Sequence, residues 1–193
     1  MIGPFITRIV GTKLINPDSQ KLKNSGPAIY VTNHTSALDI FISMAICPYG
    51  GCGVGKKEVV KIPFFGWAYW LSGHLVIDRG NREKAVASMN KLSKFVNDKK
   101  LSIWIWPEGT RSMDGKLIPF KKGFVHLALA TGLPIVPVVL HGAHKRWPAK
   151  TMQFYPGEVK VEVLDPIDTK DWNKDGIEAH VNQVKSVMSE ALG

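Results

Sequence analysis

Residues 28–39, AIYVTNHTSALD, join an apolar run of strand length to the start of a predicted helix. The run 28–32 follows a Ser-Gly-Pro turn and predicts a buried strand. Ser36 is predicted as the N-cap of the helix, with Asp39 three residues later in a capping-box relation. The helix is expected to end before Pro48. A strand that leads through a polar loop into a helix is a building unit of α/β domains.

The rest of the chain alternates strand-like and helix-like segments in the same way. The predicted strands are 53–55, 75–77, 102–106 and 135–140, with a half-exposed edge strand at 159–164. The predicted helices are 82–97, 124–130 with Gly132 as its C-cap, and the amphipathic 177–192. No repeat or long linker divides the chain, so we expect a single α/β domain over residues 1–193. Its central sheet should be mostly parallel and flanked by helices.

The composition restricts the class of partner. The 193 residues are 45% hydrophobic and 21% charged, which is typical of a globular protein, and the formal net charge is +9. Such a surplus favours a polyanion: nucleic acid, an anionic membrane surface or a phosphorylated substrate. The sequence has no RNA-binding signature, zinc finger or basic arm, so we expect no specific nucleic-acid partner. Its two cysteines lack zinc-ligand spacing and suggest a reducing compartment.

Two apolar segments are candidates for contact with a membrane surface. Residues 1–25 form an N-terminal segment whose first ten residues are apolar but too short to span a bilayer. Residues 62–77 are rich in aromatic side chains, which suit either a membrane–water interface or a buried core helix. With the positive charge, this pattern predicts a cytoplasmic protein associated peripherally with the inner membrane face.

Polar residues follow several of the predicted strands. They are His34 after the first, Asp78 and Arg79 after the third, Glu108, Thr110 and Arg111 after the fourth, and His141 and His144 after the fifth. Ligands of open α/β sheets bind beyond the carboxyl ends of the strands. The sequence therefore predicts one cleft at this edge of the sheet.

His34 and Asp39 can form a catalytic pair only if they do not share one helix. Five residues along a regular helix turn through about 500°, which would separate the two side chains. With His34 in the loop and Asp39 in the first helical turn, the carboxylate can fix the tautomer of the imidazole. The other ring nitrogen is then free to act as a general base. A helix cap beside an ordinary loop histidine remains the alternative.

Residues 106–112, WPEGTRS, place a carboxylate, a glycine and a fixed cation in one short loop. Gly109 permits close approach of backbone to a ligand, and Arg111 can grip a phosphate with two N–H groups. A polar surface turn is the alternative interpretation.

Together these motifs resemble the glycerolipid acyltransferase family, typified by 1-acylglycerol-3-phosphate acyltransferase. The first block is the pair His34 and Asp39, and the other blocks correspond to residues 73–79, 106–112 and 133–138. They occur in the family order, and Trp106 replaces a phenylalanine of the family pattern. The resemblance implies a glycerol-3-phosphate acyltransferase-like α/β fold.

The resemblance also implies the reaction. An acyl group would pass from acyl-CoA or acyl-carrier protein, as co-substrate, to the free hydroxyl of a lysophospholipid. The expected acceptor is 1-acylglycerol-3-phosphate and the expected product is phosphatidic acid. His34 and Asp39 would be catalytic, and no metal or redox cofactor is expected. Substrate contacts are expected from Lys56, Arg79, Glu108, Gly109, Thr110 and Arg111.

Three points stay open at this level. Backbone N–H groups near Gly109 are candidates for an oxyanion site. Lys121 or Lys122 is a candidate for contact with the donor's phosphates. Another lysolipid acceptor, or a non-catalytic lipid-binding relative, would fit the same motifs.

Overall fold

The computed structural model describes residues 2–48, 50–56, 60, 66–67, 71, 74–77 and 92–193. Several predictions fall outside these residues. They are the positions of Asp78 and Arg79, most of the aromatic stretch 62–77, and the predicted helix 82–97 up to residue 91. Residues 92–98 are helical, as predicted.

Within the described residues, seven strands form one sheet in the order β1-β7-β6-β2-β5-β3-β4. The strands are β1 Thr12–Ile15, β2 Ile29–Thr32, β3 Gly51–Lys56, β4 Leu75–Ile77, β5 Ser102–Ile105, β6 Ile135–His141 and β7 Gly157–Val163. Neighbouring strands pair in parallel except β6 and β7, which are antiparallel. The prediction of a mostly parallel sheet is confirmed.

In the described ranges, six further helical segments have defined bounds: α1 Ile2–Ile9, α2 Ser19–Asn24, α3 Leu38–Ile46, α4 Gly123–Thr131, α5 Ala143–Arg146 and α6 Ile177–Leu192. α3, α4 and α6 were predicted. Gly132 ends α4 with a φ of 68°, and its N–H donates to the carbonyl of Ala128. α1, α2, α5 and the strand β1 were not predicted.

The sheet separates two apolar cores, and β2 contributes to both. Ile29 and Val31 lie in the core beneath α4 and α6, while Tyr30 lies in the opposite core with Leu38 of α3. Because both faces of β2 are covered, all its residues are buried, which explains the continuous apolar run. The catalytic candidates therefore follow a strand that is fixed from both sides.

The prediction that residues 159–164 form an edge strand is wrong. β7 lies between β1 and β6, and the edge on this side is β1. The alternating pattern arises because Val159, Val161 and Val163 are buried on one face of the sheet while Lys160 is exposed on the other. One covered face, rather than one free edge, produces the pattern.

No helix in the described part of the chain is long and apolar enough to cross a membrane.

Candidate active site

The loop between β2 and α3 carries the predicted catalytic pair. α3 begins at Leu38 with Ala37 at the N-cap, so the prediction of Ser36 as N-cap is wrong by one residue. The expected capping contacts are nevertheless present, because Ser36 Oγ accepts the N–H of Leu38 at 3.0 Å. Asp39 Oδ2 accepts the N–H of Ser36 at 2.8 Å. These contacts turn the Asp39 side chain back toward the loop.

The structure brings His34 and Asp39 together. His34 Nδ1 lies 2.9 Å from Asp39 Oδ2, which also accepts the N–H of Thr35 at 2.6 Å. Asp39 is fully buried and His34 is 15% exposed. An ionised carboxylate only accepts hydrogen bonds, so we assign the ring proton to Nδ1. Nε2 is then the nitrogen that can accept a proton from a ligand.

Asn33 fixes the start of the same loop. Its side chain is buried, donates from Nδ2 to the carbonyl of Leu140 at 3.0 Å and accepts the Leu140 N–H at 2.8 Å. The amide thus extends the pairing of β2 with β6 one residue beyond the strand. No role was predicted for Asn33. The available signal was an amide directly after a buried strand.

Glu108 braces the loop from the other side. Its Oε1 accepts the His34 N–H at 2.8 Å, and its Oε2 accepts the Ile118 N–H at 3.3 Å. Burial raises the pKa of Glu108 to about 7, although the two N–H groups oppose the shift. The side chain is 2% exposed, so this geometry assigns Glu108 a positioning role instead of the expected substrate contact.

Some of the residues after Glu108 form backbone hydrogen bonds within the site, and others are exposed on the surface. The Gly109 N–H donates to the carbonyl of Trp106 at 3.2 Å, so among the N–H groups near Gly109 that were candidates for an oxyanion site, this one is already bonded. The Ser112 N–H donates to the carbonyl of His34 at 2.8 Å, a contact that sequence reasoning missed. Thr110 and Arg111 are exposed beside this contact, where a ligand can reach them.

The other candidates lie in varied surroundings. The rings of His34 and Trp106 are 5.2 Å apart, so the indole borders the imidazole. Lys121 and Lys122 are both exposed, and Lys122 forms an ion pair with Glu178. Lys56 ends β3, and Arg79 lies outside the described residues. Within the described residues, no group of three or more His, Cys, Asp or Glu is placed to hold a metal ion.

Two histidines at the end of β6 were also candidates for the cleft. His141 Nε2 lies 2.9 Å from Glu162 Oε2 on β7, so it has a partner of its own. The pKa of His144 is lowered, mainly because burial disfavours the charged ring, and the charge of Asp39 partly opposes this shift. The ring of His144 lies against Gly115, in the segment that follows the Arg111 loop.

Comparison with known proteins agrees with this geometry. A family model described as Acyltransferase matches residues 15–141, which include His34, Asp39 and the Glu108 loop. The chain belongs to the acyltransferase family. The predicted resemblance to glycerolipid acyltransferases and the prediction of an O-acyltransferase are thereby confirmed.

Individual members of the acyltransferase family support the more specific resemblance. The 1-acyl-sn-glycerol-3-phosphate acyltransferase of Limnanthes douglasii is 43% identical over 192 residues, which cover 100% of this chain and 68% of the relative. That of Escherichia coli (strain K12) is 38% identical over 167 residues, covering 86% and 67%. The crystal structure of the 1-acyl-sn-glycerophosphate (LPA) acyltransferase from Thermotoga maritima has a TM-score of 0.77 and 27% identity, covering 98% of this chain and 76% of that chain.

Proposed function

We propose that the protein transfers a fatty acyl group from a thioester donor to the free hydroxyl of 1-acyl-sn-glycerol-3-phosphate, forming phosphatidic acid. The observation that carries this proposal is the 2.9 Å contact between His34 Nδ1 and a fully buried Asp39. This contact leaves Nε2 as a base. The names of the relatives support the acceptor.

The reaction balances with His34 as the only group that gains and loses a proton. Nε2 takes the proton of the acceptor hydroxyl while the hydroxyl oxygen attacks the thioester carbonyl carbon. The tetrahedral intermediate breaks its C–S bond, and the departing thiolate receives the same proton from Nε2. Asp39 stabilises the imidazolium formed in between. General-base assistance of this kind typically contributes about 10²–10⁴-fold, and holding the two substrates together supplies much of the remainder.

Arg111 and Thr110 are proposed to bind the acceptor's phosphate. Both are exposed, and the next residue, Ser112, is bonded to the backbone of His34. A phosphate held there would lie close to the base, and arginine can bind it with two parallel N–H groups. The resemblance adds Lys56 and Arg79 to this set.

We also propose that α1 brings the protein to the cytoplasmic face of an anionic membrane, where the lysolipid resides. Phe5 and Ile9 of α1 are 62% and 64% exposed, and Arg8 between them is exposed as well. An apolar cleft of about 360 Å³ lies between α1 and the rings of Trp147 and Phe154. Apolar side chains beside a cation are typical of helices that lie in the membrane interface.

An activity matrix with a histidine variant tests the function. Wild-type protein is assayed with labelled acyl-CoA and acyl-carrier protein against several lysolipids. We expect highest kcat/KM with 1-acyl-sn-glycerol-3-phosphate. His34→Ala should abolish turnover but leave the protein folded, because Asp39 still accepts the N–H groups of Thr35 and Ser36. His126→Ala, on the exposed side of α4, is the control and should retain full activity. Preference for a phosphate-free acceptor would overturn the assigned substrate, and activity in His34→Ala would overturn the mechanism.

A further inference from the structure

A cavity of about 490 Å³ lies at the carboxyl end of β6, and the proposed reaction does not use it. The cavity is lined by residues 115–117, by the end of β6 together with His144 of α5, and by the last turns of α6. Three separate elements thus enclose one concave space.

Lys116 and Lys185 are the lysines that line the cavity. Among the described residues, neither ammonium group has a carboxylate within salt-bridge distance. The neighbouring carboxylate of Asp114 accepts hydrogen bonds from the Ser112 hydroxyl and the Lys116 backbone, and Glu162 is bonded to His141 and Lys160. The ammonium groups of the two lysines are therefore available to bind an anion.

The cavity also offers uncharged hydrogen-bonding groups. His144 lines it and stacks so closely over Gly115 that a Cβ there would lie 2.4 Å from the imidazole. Ser189 and the carboxyl end of α6 lie on the opposite wall. Helix ends expose carbonyl oxygens, which accept hydrogen bonds from amide N–H or hydroxyl groups. A phosphate joined to an arm with amides and a hydroxyl would match both sets of groups.

The cavity wall is connected directly to the catalytic loop. Residues 115–117 run into Ile118, whose N–H is held by the carboxylate of Glu108 that also holds the N–H of His34. Leu140 also lines the cavity, and its backbone is bonded to the side chain of Asn33, the residue before His34. A ligand in the cavity would therefore lie close to the catalytic loop, on residues distinct from Arg111 and Thr110.

We propose that this cavity binds the phosphate of the donor's phosphopantetheine arm, with Lys116 and Lys185 as its cationic contacts. This inference rests on the proposed function, since that reaction needs a second anionic substrate besides the lysolipid. Acyl-CoA and acyl-carrier protein share this arm, so one site serves either donor. The donor contact predicted from the sequence was Lys121 or Lys122; Lys122 is paired with Glu178, and neither of these two lysines lines the cavity.

The test compares donors that differ only in their phosphates. The double variant Lys116→Gln with Lys185→Gln is assayed with acyl-CoA, acyl-phosphopantetheine and phosphate-free acyl-pantetheine, at saturating lysolipid for the donor KM and at saturating donor for the lysolipid KM. Loss of two charge-assisted contacts should raise the donor KM about tenfold or more for both phosphate-bearing donors. The KM for acyl-pantetheine and for the lysolipid should stay unchanged. Lys174→Gln, an exposed lysine outside the cavity, is the control.

Several results would overturn the assignment. They are an unchanged donor KM, an equal rise with acyl-pantetheine, a rise confined to acyl-CoA, which would point to its nucleotide phosphates, or a rise in lysolipid KM. If wild-type protein shows no transfer with any acceptor, the proposed function fails, and the cavity is tested by calorimetric titration with phosphopantetheine alone. Weaker binding by the double variant than by Lys174→Gln supports the cavity, and equal binding overturns it.

Discussion

Glu108 is a buried acid whose ionisation acts against the folded state. Its pKa is about 7 in the protein and about 4.5 in the unfolded chain, so the folded state binds the proton more tightly between these values. The contribution of Glu108 to stability therefore falls as pH rises from 4.5 to 7, by about 3 kcal/mol, and is constant above that range. Glu108→Gln removes this titration while preserving the size of the side chain.

We expect the difference in the free energy of unfolding between wild type and Glu108→Gln, measured by urea unfolding, to change with pH in one direction. At pH 4.5 the variant is the less stable protein, because its amide nitrogen cannot accept the N–H of Ile118 or His34, whereas both oxygens of the protonated acid keep lone pairs that can. By pH 7.5 the gap should have moved about 3 kcal/mol in the variant's favour. The exposed Glu190→Gln is the surface control. A gap that stays constant across this range would contradict the assignment.

The residues of the site differ in how far the sequence could predict them. His34 and Asp39 lie five positions apart, so the cap and the loop between them were enough to predict their contact. The contacts of Glu108 with His34 and of Asn33 with Leu140 span 74 and 107 positions. Which N–H group meets which side chain over such separations depends on strand order and register. Neither can be derived from a local pattern, so the roles of Glu108, Gly109 and Asn33 emerged only in the structure.

Among the elements, α1 depends on a glycine for its place against α3. A Cβ at Gly3 would lie 2.5 Å from the carbonyl oxygen of Phe41 and 2.6 Å from the backbone nitrogen of Ala45. Since backbone atoms cannot turn aside as a side chain can, we expect Gly3→Ala to destabilise the protein by about 1–3 kcal/mol in urea unfolding. Faster amide hydrogen exchange in α1 should accompany this loss.

Gly123→Ala is the matched control for this substitution. Gly123 begins α4, and a Cβ there would meet no atom within 4 Å. Alanine should leave stability unchanged or raise it by up to about 1 kcal/mol, because it lowers the conformational entropy of the unfolded chain. Equal stability of Gly3→Ala and Gly123→Ala would show that α1 does not pack this closely on α3.

Element length explains which parts of the fold the sequence predicted. α6 has 16 residues with buried Val181, Val184 and Met188 at helical spacing, and its predicted bounds were correct. α2 has six residues and β1 has four, too few for either periodicity to stand out. Because β1 was not predicted, no strand was predicted on the outer side of β7. The alternating pattern of β7 was therefore interpreted as that of an edge strand. One short strand therefore changed the predicted position of a longer one.

At the scale of the whole molecule, charge and exposed apolar groups should act together in membrane binding. The net charge of +9 attracts the protein to anionic lipid, and the α1 side chains Phe5 and Ile9 can then enter the interface. We expect Phe5→Ala with Ile9→Ala to lower the partition coefficient onto anionic vesicles about tenfold or more, because burial of each side chain contributes roughly 1.5–3 kcal/mol. Sedimentation with vesicles measures this coefficient.

Changing the salt concentration and substituting a second exposed aromatic residue separate the electrostatic and apolar contributions to membrane binding. Raising the salt concentration should weaken binding of wild type and variant by the same factor, since screening acts on charge and not on apolar contact. Phe95→Ala is the control: this ring is exposed on helical residues 92–98, whose Leu92 and Val96 belong to the core across the sheet from α3. Its substitution should leave partitioning unchanged. Were Phe95→Ala to weaken binding as much as the α1 variant, the membrane would contact the opposite face, and α1 would serve only to cover α3.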